Sequence, residues 1–192
     1  MAISTNAELK AAVASWLHRS DLTTTIPDFI ALCESDLRRD LRVREMEAST
    51  SVAITSTTLA IPTGFIEARK LTLNDIELDY VEPGYFTSIS DDTTYNYTTQ
   101  GANFLFQTSA GTVKVYYYSA FAALSADADT NWLLTTHPDA YLFGSLSWAA
   151  VYTQQDPAQW RTLYRSAIDR IRTTQRNSIA SLVVRPDSGN TP

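Results

Sequence analysis

The residues able to do acid–base, nucleophilic or metal chemistry are few in this chain of 192 residues: two histidines, His18 and His137, and one cysteine, Cys33. A lone cysteine excludes an internal disulfide framework and a Cys-based zinc site. His18 falls at the end of a helical pattern, where a cation is favoured by the helix dipole. His137 precedes Pro138 and reads as a residue that starts a helix. A serine nucleophile has no Gly-x-Ser-x-Gly elbow to sit on, because Gly144-Ser-Leu-Ser147 continues into Trp148 inside an apolar helical run. Six scattered glycines build neither a phosphate-binding loop nor a dinucleotide fingerprint. Asp127-Ala-Asp129-Thr-Asn131 imitates the start of a calcium loop but has Trp132 where the glycine belongs and no distal glutamate. Asp91-Asp92 reads as a turn, and an esterase or glycosidase would have to be built on Asp91, Asp92 and His137. No catalytic residue, metal site or cofactor is assigned.

Binding chemistry is better represented. Tyr116-Tyr117-Tyr118 on a strand puts Tyr117 on one face and its neighbours on the other. With Tyr80, Tyr85, Tyr95, Tyr97, Phe104 and Phe106 these rings form either a glycan- or protein-binding surface or the packed side of a sheet. Charge is segregated: residues 1–70 sum to −1, residues 71–156 to −9 and residues 157–192 to +4, within a net charge of −6. Twelve of the fifteen basic residues are arginine, the cation suited to planar two-pronged pairing at interfaces. An acidic side and a basic side on one subunit allow head-to-tail stacking, and the overall acidity argues against sequence-independent DNA binding.

The elements that carry these residues follow from periodicity. Asn6 as N-cap with Leu9, Val13, Trp16 and Leu17 predicts a helix over 6–18. Pro27 in a first turn with Thr24 or Thr25 as cap, and the stripe Ile30, Cys33, Leu37 and Leu41, predict a second over 27–42, with Glu34, Arg38, Arg39, Asp40 and Arg42 mostly off the stripe. Together they form an αα-hairpin. Seven strands are expected at Ser51–Thr55, Thr58–Ile61, Ala68–Leu73, Glu77–Val81, Tyr95–Thr99, Phe104–Gln107 and Val113–Ser119, with turns at Pro62-Thr63-Gly64, 73–76 and 100–103 and a short helical turn after Pro83. Residues 120–136 read as a loop. Helices return at 138–154, apolar nearly all round and therefore central, and at 157–180, with Trp160, Leu163, Ala167, Ile168 and Ile171 inward and an Arg165–Asp169 pair outside. The fold class is α+β: a helical body over 1–48 and 120–180, an inserted antiparallel β-sheet or small sandwich over 49–119, and a C-terminal extension over 181–192. No apolar run approaches the ~20 residues of a bilayer span, and the first residues lack a basic-then-apolar leader, so a soluble intracellular product is expected.

Several ordered stretches carry a family resemblance: Ala7-Glu-Leu-Lys10 with Trp16-Leu-His-Arg-Ser-Asp-Leu22, Arg39-Asp-Leu-Arg-Val-Arg-Glu-Met-Glu47, Leu59-Ala-Ile-Pro62 with Phe65-Ile-Glu-Ala-Arg-Lys-Leu-Thr-Leu-Asn74, and Thr130-Asn-Trp-Leu-Leu-Thr-Thr-His-Pro-Asp139 leading to Gly144. Over residues 7–170 the chain resembles the head-to-tail adaptor (connector, head-completion) proteins of tailed bacteriophages, above all those of short-tailed phages. The resemblance implies a non-enzymatic virion protein that forms an oligomeric ring, usually a dodecamer, beneath the portal protein. Such a ring extends the channel through which genomic DNA passes without specific binding, and it docks a tail or nozzle protein. It implies a place at the head–tail junction after assembly in the host cytoplasm, with no membrane. On this reading Arg170, Arg172, Arg176 and Arg185 engage the portal or a neighbour. Arg39, Arg42, Arg44, Glu45 and Glu47 form the ring contact, and acidic residues of the middle segment face the channel or a neighbour's arginines. The alternative is a phage tail or surface module whose Tyr-rich sheet binds glycan or protein.

Overall fold

The computed structural model of the chain describes residues 3–88 and 95–182, with side chains in the last helix described to Thr174. In chain order the elements are α1 (Asn6–Leu17), α2 (Ile26–Asp40), a 3-10 turn (Arg44–Met46), β1 (Glu47–Ile54), β2 (Thr58–Ala60), β3 (Phe65–Leu73), β4 (Ile76–Tyr80), α3 (Pro83–Phe86), β5 (Asn96–Gln100), β6 (Asn103–Phe106), β7 (Gly111–Ser119), α4 (Trp132–Thr136), α5 (Pro138–Tyr152) and α6 (Ala158–Leu182). They divide into a helical unit, up to Arg44 and from Phe121 onward, and a β unit, Glu45–Ala120.

In the helical unit α1 is capped one residue earlier than expected. Thr5 is the extended N-cap, its Oγ1 accepting from Glu8 N at 3.3 Å while Thr5 N donates to Glu8 Oε2 at 3.1 Å. This reciprocal pair satisfies two of the donors that every helix start leaves open. Ser4 donates to the same carboxylate from its backbone N and its Oγ, both at 2.8 Å, and these hydrogen bonds, the Ser4 backbone bond foremost, hold Glu8 below the usual carboxylate pKa. Asn6 is instead buried, and its Nδ2 donates to Leu124 O (3.3 Å) and Ala126 O (3.0 Å). His18 ends α1 in the left-handed conformation, φ 51°. Leu9 and Val13 of the expected stripe are buried, whereas Trp16 is half exposed, its ring edge-on to Phe143 at 6.0 Å and Trp160 at 5.7 Å.

The α2 stripe Ile30, Cys33, Leu37 and Leu41 is buried as the spacing requires. Glu34 is a correction. Although off the apolar stripe, it is 5% exposed, for a reason given below. The expected loop 120–136 contains α4, started by Asn131, whose Oδ1 accepts from Leu134 N at 2.8 Å. Helix α5 is central: it packs against α1, α2, α4 and α6. Its only glycine, Gly144, faces both α2 and α6, and a Cβ there would stand 2.3 Å from Cys33 Sγ and 3.1 Å from the Tyr164 ring. Asp156 Oδ1 accepts from Ala158 N at 2.9 Å at the start of α6, which buries Ala167, Ile168 and Ile171 and runs to Leu182. Asp169 pairs with Arg172 at 3.9 Å, three residues on. The expected extension lies outside the described residues from 183.

The β unit holds all seven expected strands in one sheet of order β1-β7-β3-β4-β5-β6-β2. The pairing is antiparallel except between β4 and β5, where Asp79 faces Asn96 in a parallel register; the sheet is therefore mixed, not wholly antiparallel. A parallel neighbour needs a crossover, and the chain between these strands passes through α3 instead of a tight turn. The β3–β4 hairpin turns on Asn74 (φ 49°) and Asp75 (φ 66°), the two positive-φ positions that Asn and Asp tolerate. The sheet curls until it is nearly barrel-shaped, bringing Phe65 of β3 within 5.6 Å of Phe104 of β6 and of Tyr117 of β7. Ile54, Leu71, Leu73, Leu78, Phe104, Phe106, Val113, Val115 and Tyr117 fill its interior.

Candidate assembly interface

The last carbonyls of a helix have no partner within it and attract cations. At the end of α2 two arginines answer this. Arg42 Nη1 donates to Leu41 O (2.7 Å), Arg38 O (2.9 Å) and Arg39 O (3.3 Å). From α6, Arg172 Nη2 donates to Asp40 O at 2.6 Å. One member of each of the two sets that the sequence assigned to separate contacts, Arg42 and Arg172, thus meet at one corner of the helical unit. Four carboxylates interleave with them. Arg39 pairs with Asp36, which also accepts from Trp148 Nε1 at 2.9 Å. Arg170 reaches Asp139, in the first turn of α5, at 3.2 Å. Asp40 Oδ2 accepts from Tyr164 OH at 3.4 Å, and burial first, with the neighbouring acids, pushes that phenol up from its usual pKa. A recess of about 300 Å³ lined by Asp40, Tyr164, Arg165, Ile168, Asp169 and Arg172 opens here. Beside it an open groove of about 670 Å³ runs along Thr162, Arg165, Ser166, Asp169, Arg170, Thr173 and Thr174.

These pairs stay available to a partner. The side chains of Arg39, Arg170 and Arg172 are 70%, 64% and 47% exposed, and exposed ion pairs are worth only about 0–1 kcal/mol each. Exchanging one for an intermolecular pair therefore costs little. Of the other expected contact residues, Glu47 lies on β1 and pairs with Arg69 of β3, and Arg44 and Glu45 sit in the 3-10 turn. The side chain of Arg176 and all of Arg185 lie outside the described residues. Sequence reasoning missed Asp36, Asp139 and Tyr164 in this corner. Only the alternation of acids and arginines along α2 hinted at it.

Beneath the corner is a buried polar knot. Glu34 Oε1 accepts from Leu124 N (2.9 Å) and Tyr141 OH (3.2 Å), and Glu34 Oε2 lies 3.7 Å from Arg38 Nη2. Asn131 Nδ2 donates to Tyr141 OH and Ala122 O, both at 2.8 Å. Arg38 stacks over the Phe121 ring at 5.3 Å. Burial raises the Glu34 pKa, opposed by the Leu124 N–H, the Arg38 charge and the Tyr141 hydroxyl. The knot ties segment 121–131 to α2, which is why an ionisable group lies inside.

The other candidates disperse. Cys33 is fully buried, and desolvation raises its thiol pKa well above the usual value, the opposite of a nucleophile. The Asp129 carboxylate closes its own loop, accepting from Ser125 N, Ser125 Oγ and Ala126 N at 2.8, 2.8 and 2.6 Å, while Asp127 pairs with Lys10 at 2.9 Å. His137 begins α5, its N–H donating to Leu133 O at 2.8 Å. Asp91 and Asp92 lie outside the described residues. Among the described residues no cluster of three or more His, Cys, Asp or Glu could hold a metal ion, and no helix is long and apolar enough to cross a membrane. The aromatic rings split: Tyr117, Phe104 and Phe106 are core, whereas Tyr80, Tyr85, Tyr95 and Tyr116 are exposed.

A family model described as SU10 adaptor protein matches residues 4–186. No curated protein matches the chain.

Proposed function

Because the chain belongs to the SU10 adaptor protein family, structural head-to-tail adaptors of phages that interact with portal and tail proteins, we propose that it assembles into a ring beneath the portal and that the α2–α6 corner is its docking surface. The ring, a dodecamer by analogy with adaptors of this kind, joins head to tail, carries the DNA channel onward and receives the tail or nozzle protein below. It acts without catalysis, at the head–tail junction, after assembly in the host cytoplasm. The observation that carries this reading is the meeting of Arg42 and Arg172 on the carbonyls that end α2, with Asp40 and Asp169 lining the recess beside Arg172 and the ion pairs Arg39–Asp36 within α2 and Arg170–Asp139 between α6 and α5. A surface holding both signs in alternation suits a heterologous contact, in which each subunit offers cations to the acids of the next. Arg176 and Arg185 also engage the portal or a neighbour, and Arg44, Glu45 and Glu47 extend the ring contact. Acidic side chains of the middle segment face the channel, where phosphates pass without sticking, or a neighbour's arginines.

Light scattering of the chain alone, of the cognate portal alone and of the mixture at low salt tests this. The expected result is a complex of ring mass that weakens as salt rises, as exposed ion pairs are screened. Arg170→Ala with Arg172→Ala should weaken it at least tenfold while circular dichroism stays unchanged. No association at low salt, or undiminished association of the double variant, refutes the docking assignment.

A further inference from the structure

Strand β1 forms one edge of the seven-stranded sheet. Its eight residues pair without interruption with β7, from Glu47 opposite Tyr118 to Ile54 opposite Gly111, and among the described residues no strand pairs with its other side. Edges of this length are normally blunted by lysine, proline or a bulge, because an open row of backbone groups invites another strand. β1 reads Glu-Ala-Ser-Thr-Ser-Val-Ala-Ile and has none of these devices. Its only charge, Glu47, is taken by Arg69. Arg69 falls at the register shift between Ala68 and Lys70 of β3, and its guanidinium lies over the Tyr118 ring at 5.4 Å. The irregularity in β3 therefore neutralises the edge charge instead of protecting the edge. Ser49, Ser51 and Ala53 are exposed along it, while Ala48, Thr50 and Val52 are half-buried on the core side. The opposite edge, β2, is three residues long and offers no match of comparable length.

We propose that β1 pairs antiparallel with β1 of a second copy of this chain, about a two-fold axis at Thr50. A sheet continued across a perpendicular two-fold keeps its faces, so residues of equal parity must oppose. Thr50 then meets Thr50 of the second copy, Ser49 meets Ser51, Ala48 meets Val52 and Glu47 meets Ala53. No like charges face each other, hydroxyl pairs sit at the centre, and the half-buried row continues from one chain into the next. Such a contact closes at two chains. It uses none of the α2–α6 corner, shares only Glu47 with the proposed ring contact, and stands whether or not that corner binds a portal. Its service is to cover, in the free chain, an edge that would otherwise template aggregation. A strand edge buries less than the ~800 Å² per partner of a standard interface, so the dimer is concentration-dependent.

The test is sedimentation of the full chain from micromolar to submillimolar concentration, with crosslinking of Thr50→Cys. Directly opposed residues of an antiparallel pair have Cα atoms about 4.5–5.5 Å apart, within disulfide reach, and the native Cys33 is buried. The expected results are a monomer–dimer equilibrium, loss of the dimer in the Ser49→Lys/Ser51→Lys variant with unchanged circular dichroism, and oxidative crosslinking of Thr50→Cys at least tenfold faster than of Ser56→Cys. Equal crosslinking of the two cysteine variants overturns the proposal, as does a dimer that survives both lysines.

Discussion

Gly144→Ala is the most searching perturbation of the scaffold behind the α2–α6 corner. The added methyl would meet Cys33 Sγ at 2.3 Å and Tyr164 Cδ2 and Cε2 at 3.1 and 3.2 Å. Comfortable contacts between such atoms begin near ~3.5 Å, so α2 and α6 must both recede from α5. Cys33 cannot swing aside cheaply, being fully buried with its Sγ 3.8 Å from Ala140 O and 3.7 Å from Tyr141 O. Overpacking of this kind costs about 1–3 kcal/mol, and the gain in helix propensity from Gly to Ala returns about 0.8–1 kcal/mol. The net is a destabilisation of about 1–2 kcal/mol, from the upper part of that range. All four tryptophans, Trp16, Trp132, Trp148 and Trp160, lie in the helical unit, so their fluorescence follows its melting separately from the β unit. At about 3–5 °C per kcal/mol for a unit of this size, the midpoint should fall by about 3–10 °C. In a Cys33→Ala background the sulfur is gone, and the same Gly144→Ala change should be neutral or mildly stabilising, a coupling of about 1–3 kcal/mol. A raised midpoint in the single variant, or equal effects in the two backgrounds, would refute the close-approach argument.

Other expectations follow from the same contacts. Thr5→Ala removes the cap of α1 and should lower helical-unit stability by about 1 kcal/mol, read by denaturant titration of tryptophan fluorescence; Asn6 supplies no cap and cannot compensate. Glu34→Gln tests the buried knot through pH. Because folding raises the Glu34 pKa, its contribution is fully present below the unfolded carboxylate pKa and is lost as pH rises through the folded value. The midpoint of the native chain minus that of Glu34→Gln should therefore decrease from acid to neutral pH; a difference that stays flat or grows would exclude a raised carboxyl. Asn74→Ala places a residue without a side-chain amide at φ 49° and deletes the acceptor for Thr112 N at 2.9 Å. A loss of about 1–2 kcal/mol in β-unit stability is expected by near-ultraviolet circular dichroism.

What the sequence by itself determined is everything encoded by local period and turn chemistry. The alternation of β-branched and aromatic residues located all seven strands, Asn74-Asp75 and Gly101 located two hairpins, and apolar stripes together with the all-round apolar run of α5 located the four long helices. The ordered motifs from Ala7 to Gly144 identified the family. Tertiary structure decided what depends on neighbours distant in the chain. Glu34 reads as a solvated residue by helical spacing, and it is buried because Leu124 and Tyr141, some ninety and more residues away, donate to it. The parallel β4–β5 pair depends on the path through α3, which no alternation pattern records. The α2–α6 corner proposed for docking belongs to this second class. Arg42 and Arg172 are 130 positions apart in the sequence, and they become one site because the open carbonyls at the end of α2 draw both guanidiniums.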